Sequence, residues 1–153
     1  SVQSSGQRHS VREVDRPPHT TSLGLARVHV AVIVVHTEIP VDPAHRAELL
    51  ALTEELVEHA ADEPDTVRYR ASTGVTDSDT LRFFEQYADT AAAEQHQSSE
   101  TYRRFNEVLP RLVDGEIETV QFEVDETDVA TATFSAEEAA AAVGDADQST
   151  TDE

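Results

Sequence analysis

Apolar residues along this chain recur at two spacings, and the switch between them divides the middle of the sequence into strands and helices. Residues 28–39 are β-branched and apolar on both faces over much of their length, which predicts a strand that Pro40 and Pro43 end. Asp42 followed by Pro43 predicts a helix start. Leu49, Leu52, Leu56 and Ala60 then recur at spacings of three and four, one stripe of an amphipathic helix that Asp62-Glu63-Pro64-Asp65 stops. Residues 66–73 alternate as a second strand, and 74–79 read as a turn. Residues 81–87 make a third strand, with Phe83 and Phe84 on opposite faces. Asp89 predicts the cap of a second helical region, which Ser98 and Ser99 are expected to break. Tyr102, Phe105, Leu109 and Leu112 continue the helical stripe, with a kink or restart expected at Pro110. Gly115 precedes a last strand over 116–124.

The order β-α-β-β-α-β predicts an α+β, ferredoxin-like fold with helices on one face of an antiparallel sheet. A sheet covered on one side should alternate apolar and polar along each strand, and the first strand does not. Its second face needs cover that no third helix of the domain supplies, and a partner subunit is the simplest cover.

Composition changes the picture at the ends and at the surface. Residues 1–27 carry four Arg against two acids and little apolar pattern, and residues 127–153 carry seven acids and no base. Both are expected to be mostly disordered, because neither buries enough apolar surface to offset ordering entropy. The exception is a short helix over 135–143, where Ser135 and Glu138 make a capping box before an Ala-rich run. The domain proper is expected over 28–126. The net charge is −20, all eleven basic residues are arginine, and Cys, Met and Trp do not occur. Such a charge argues against nucleic acid and anionic membrane partners. No apolar run approaches a transmembrane length and no hydrophobic segment follows the N-terminal arginines, so a cytoplasmic protein is expected. The absence of lysine favours adaptation to a salty cytosol over an ordinary acidic surface.

Three segments resemble the antibiotic biosynthesis monooxygenase family, over about residues 32–124. They are VIVVHTEIPVDPAHRAELLAL, a strand leading through V-x-P into a helix; EPDTVRYR; and FFEQYADTAAAEQHQSSETYRRF, with its E-x-Y, acidic residue, helix, His, Ser and aromatic in order. Tyr87 stands where Trp is common in the family, and Asp65 where Gly is common. The resemblance implies a homodimer whose sheets pack into an α/β barrel, each subunit keeping a pocket between sheet and helices. It also implies oxidation of phenolic polycycles or quinols by O₂ with neither metal nor flavin. A second branch of the same fold binds and degrades haem.

Metal-ligand spacings, G-x-G-x-x-G, a P-loop and G-x-S-x-G are all missing from the sequence. Cofactor-free oxygenation needs a base to deprotonate the substrate and donors to hold the oxyanion. His96 is the first candidate base, at the helix position where the family motif often has His; a surface or interface histidine is the alternative. His36 is the second, sharing a strand face with Val32 and Val34; a satisfied core histidine is the alternative. Tyr87, Asn106, Tyr102, Phe105 and Phe83 are candidates to bind substrate, with core packing as the rival role for the aromatics. Glu85, if it faces inward, is expected to pair with Arg68, Arg70 or Arg82 in a structural or dimer-related cluster. His45 and His59 are expected on the exposed side of the first helix. The function expected is a cofactor-independent monooxygenase acting on a quinol or related phenol, with O₂ as co-substrate and no metal. The alternatives are a haem-binding member, for which His36 or His96 would have to serve because Asn106 stands near the usual ligand position, and a non-catalytic dimeric stress-response module that binds a small molecule.

If the acidic surface repels itself in dilute buffer, molar salt should stabilise the fold, because the Debye length then shrinks to about 3 Å. Thermal melting followed from molar to millimolar salt should show a steady loss of stability. A melting temperature that holds or rises on dilution contradicts the halophilic reading.

Overall fold

The computed structural model describes residues 29–148. Four strands, β1 (Ala31–Pro40), β2 (Thr66–Thr73), β3 (Thr80–Tyr87) and β4 (Glu118–Asp125), form one antiparallel sheet in the order β2-β3-β1-β4. Helix α1 (Arg46–Ala61) joins β1 to β2, and α2 (Thr90–Gln97) with α3 (Glu100–Leu112) joins β3 to β4. This is the expected α+β ferredoxin-like arrangement, with the second helical region split in two as Ser98 and Ser99 suggested.

Local chemistry explains each boundary. The Asp42 carboxylate accepts from Ala44 N–H at the 3₁₀ turn before α1. Asp89 accepts from Ala92 N–H and caps α2, and Ser99 Oγ accepts from Tyr102 N–H and caps α3. Pro110 lies in the last turn of α3 and the helix continues through it to Leu112, so the expected restart does not occur. The proline forgoes one N–H hydrogen bond, and the buried Leu109 and Leu112 on either side of it hold the turn. Gly115 turns the chain into β4 with φ +133°, and a Cβ there would meet Pro40 Cγ at 3.2 Å.

The core lies between the sheet and α1 and α3. Ile39, Leu81 and Phe83 from the strands meet Leu49 and Leu56 of α1 and Phe105, Leu109 and Leu112 of α3. Each fully buried leucine contributes about 2 kcal/mol of transfer free energy. A second cluster joins Ile33, Val35 and Tyr87 to Ala92 and Ala93 of α2, and Tyr69 packs against both clusters. Two arginine pairs tie the helices across their outer edge: Arg104 donates to Glu55 at 2.9 Å, and Arg111 donates to both oxygens of Glu48.

The other face of the sheet carries no helix among the described residues. There Val34 pairs with Gln86 and Phe122, and His36 with Phe84 and Val120. Phe84, Val120 and Phe122 are exposed. In β4 the alternation is inverted: Val120, Phe122 and Val124 point away from the helices, while Thr119 and Gln121 point toward them. Beyond β4, the expected C-terminal helix is present as α4 (Ala136–Gln148), extending past Val143. Its capping box forms both ways, Ser135 Oγ accepting from Glu138 N–H and Glu138 accepting from Ser135 N–H. The expected N-terminal extension lies outside the described residues.

Candidate functional site

Inward-facing residues of β1 and β3 and one side of α3 enclose a cavity of about 170 Å³. Val35, Ile39, Phe83, Phe105 and Leu109 give it apolar walls. Tyr102, Asn106 and Glu85 supply polar groups, and Thr119 and Gln121 of β4 form its rim. Larger depressions exist, one of about 320 Å³ between α1 and α3 and one of about 440 Å³ along α1 and β2. They are more open to solvent, and neither is lined by a buried ionisable side chain, so chemistry rather than size selects the smaller cavity.

Glu85 owes its place to strand parity. It sits on β3 between Phe83 and Tyr87 on the helix side, opposite Val35 of β1 and Tyr69 of β2, and is buried at 8% exposure. The Tyr87 hydroxyl donates to Glu85 Oε1 at 2.5 Å. Burial raises the Glu85 carboxyl above the usual carboxylate range, with the Tyr87 hydrogen bond acting in the opposite sense. Burial also pushes the Tyr69 and Tyr87 hydroxyls well above the ordinary phenol range, so both remain protonated donors.

Behind this carboxylate lies a buried histidine. His96, in the last turn of α2, is 0% exposed. Its Nδ1 is 2.6 Å from Glu63 Oε1, a contact between residues 33 positions apart. A carboxylate only accepts, so Nδ1–H is the donor in this contact. Nε2 is buried without a hydrogen-bond partner. The imidazole is boxed by Tyr69, Tyr102 and Tyr87, at centroid distances of 4.8, 5.3 and 5.7 Å.

The sequence-derived candidates divide accordingly. Phe83, Tyr102, Phe105 and Asn106 line the cavity, Asn106 donating its amide to the Tyr102 carbonyl at 2.9 Å. Tyr87 is buried beneath it and reaches it through Glu85. His96 is sealed behind the tyrosines rather than lining the wall. His36 does not join it: the even positions of β1 face away from the helices, which corrects the expectation that this strand face opens on the pocket. The expected arginine partners of Glu85 are likewise on the far face, where Arg68 donates to Gln86 and Arg82 to Glu38. The residues that sequence reasoning passed over are Glu63, read as part of a helix stop and as the start of the EPDTVRYR segment but not as a partner of His96, and Glu85 as a member of the cavity. For Glu85 the signal was available, a carboxylate in register with Phe83 and Tyr87. For Glu63 no local pattern announces a partner on another helix.

Residues 32–108 match the antibiotic biosynthesis monooxygenase family. An uncharacterized protein of Synechocystis sp. is 28% identical over 95 residues, a match that spans 62% of this chain and 65% of that protein. Among solved structures, a conserved protein from Methanosarcina mazei superposes with a TM-score of 0.58 at 22% identity, over 61% of this chain and 92% of the other. An antibiotic biosynthesis monooxygenase superposes with a TM-score of 0.57 at 23% identity, over 60% and 97%. At these identities the structural likeness is one of fold.

Removing the imidazole leaves Glu63 without its partner and a void among three tyrosines. His96→Ala should therefore cost about 3 kcal/mol or more, seen as a fall in melting temperature on the order of 10 °C. A loss under about 2 °C would show that the Glu63–His96 contact contributes little to the fold.

Proposed function

The chain belongs to the antibiotic biosynthesis monooxygenase family, and from that premise we propose that it is a cofactor-independent monooxygenase, oxidising a small phenol or quinol with O₂. The observation that carries this reading is the cavity itself, apolar on most sides and closed at one end by a buried carboxylate with its tyrosine donor. A volume of about 170 Å³ is close to the roughly 150 Å³ that accommodates benzene in an engineered site. It lies below the roughly 300–1,000 Å³ of sites for drug-sized ligands. A single aromatic ring therefore suits it better than a polycycle.

The chemistry asks little of the protein. Deprotonation of the ring hydroxyl gives an electron-rich anion that reduces O₂ directly. One oxygen atom enters the ring and the other leaves as water, taking up the hydroxyl proton and the displaced ring proton. Phe83 and Phe105 hold the ring, Tyr102 and Asn106 orient its oxygen, and the Glu63, His96, Tyr87 and Glu85 assembly handles the proton. Haem suits the site poorly, because no histidine lines the cavity and its volume is small for a macrocycle.

A second copy of the chain is proposed as the cover of the open sheet face. Support comes from the inverted alternation of β4 and from the exposed Phe84, Val120 and Phe122 on that face. Two such sheets packed together would form the barrel and bury an interface on the order of 1,600 Å².

Oxygen uptake by metal-free protein, with a panel of one-ring and two-ring quinols, tests the activity. Consumption of one O₂ per quinol, fastest with one ring, is the expected result. Tight quinol binding with no uptake across the panel would replace the enzyme by a binding module. A haem-type absorption spectrum after addition of ferric haem would favour the haem branch instead. Light scattering in molar salt should return twice the chain mass of 16.8 kDa; a monomer at all micromolar concentrations rules out the barrel.

A further inference from the structure

We infer that Glu85, and not a histidine, is the base that takes the proton from the substrate hydroxyl in this cavity. The inference rests on the proposed oxygenation and names the group that starts it. Three features of the geometry support it. Glu85 is the one carboxylate among the residues that line the cavity, and His96 is not among them. One of its oxygens is already held by the Tyr87 hydroxyl, which fixes the carboxylate plane and leaves the other oxygen to act. Glu85 is more than nine-tenths buried, and Arg68 and Arg82, the arginines nearest to it in sequence on the paired strands, are engaged on the far face with Gln86 and Glu38.

The step balances without any further group. The substrate O–H bond breaks, its proton passes to the free oxygen of Glu85, and the electron pair stays on the ring oxygen. The resulting phenolate passes one electron to O₂, the co-reactant, and the phenoxyl radical and superoxide then join through a new bond from ring carbon to oxygen, giving a ring peroxide. Glu85 returns its proton to the outer peroxide oxygen; the ring C–H proton then leaves, its electron pair forms the new C=O as the O–O bond breaks, and the departing hydroxide takes up that proton as water. Burial raises the carboxyl of Glu85, which makes its anion a stronger base than an exposed glutamate. The groups that face it set that basicity: Tyr87 and Tyr69 on its flanking strand positions, His96 from α2, and Glu63 beyond. His96 and Glu63 thus act as positioning residues, through charge and packing rather than contact with substrate.

Glu85→Gln keeps the shape and an acceptor for Tyr87. The folded state holds the Glu85 proton more tightly than the unfolded chain, so wild type loses stability as pH rises above the ordinary carboxylate range. The glutamine variant should accordingly melt no lower than wild type at pH 8. Its kcat/KM for the best quinol should nevertheless fall about 100-fold or more, and the acid limb of the pH profile should vanish. Tyr87→Phe removes the hydrogen bond that lowers the Glu85 carboxyl, so its acid limb should move to higher pH with a smaller loss of rate. If wild type consumes O₂ and Glu85→Gln retains kcat/KM within a few-fold with the acid limb in place, Glu85 is not the base, although the oxygenase reading stands. If wild type consumes no O₂ with any quinol, the oxygenase reading falls and takes this role with it.

Discussion

Glu85 is a carboxylate set into the apolar side of a strand, between Phe83 and Tyr87, and the interior around it answers the cost of keeping it there. An unpaired buried charge is among the most expensive features a small domain can hold. Here the answer is not an opposite charge but one hydroxyl donor from Tyr87 and a carboxyl raised toward its neutral form. Tyr87 in turn needs a fixed ring, which it gets from Ile33, Val35 and the alanines of α2. Small residues at Ala92 and Ala93 let α2 approach the sheet closely, and that approach brings His96 into the tyrosine box. The smaller core thus supports Glu85 and its tyrosine from behind, while the larger one supplies most of the cavity's apolar wall.

The sheet separates two kinds of chemistry by parity alone. Odd positions of β1 face the cavity and even positions face away, so His36 and Val35, neighbours in sequence, belong to different environments. The arginines of β2 and β3 fall on the far side with Glu38 and Gln86, which keeps guanidinium groups away from the buried carboxylate. A one-residue slip of β3 would exchange Glu85 for Gln86 and bring Arg82 inward. The register is pinned by the eight paired positions between β1 and β3 and by the caps at either end of the strand pair.

Much of this was legible in the sequence because it rests on periodicity. The four strands, the order of elements and the aromatic face of α3 follow from spacings of two, three and four residues, and the cap at Asp89 and the break at Ser98 and Ser99 follow from residue type. What was not legible depends on distance in the chain. Glu63 meets His96 across two strands and nearly the whole of α2, and neither the helix stop nor the family-like segment that begins at Glu63 names its partner. His36 was misplaced for a different reason. With apolar residues on both faces of β1, alternation could not say which face the helices cover, and only the packing of α1 and α3 decides it. At Pro110 the local preference against a helix is overridden by the packing of Leu109 and Leu112, which no local pattern weighs.

Across the outer edge of their packed apolar faces, the helices are joined by guanidinium groups, Arg104 to Glu55 and Arg111 to Glu48, in a chain that contains no lysine and no cysteine. Quinones are electrophiles that arylate side-chain amines and thiols, and an enzyme that makes them at its own surface is ordinarily their first victim. Guanidinium, which stays protonated at any physiological pH, is a far poorer nucleophile than either. Under the proposed oxidation, the arginines that join the helices would give such a product little to add to, and the imidazoles, seven in this chain, would be the side chains left for it to meet.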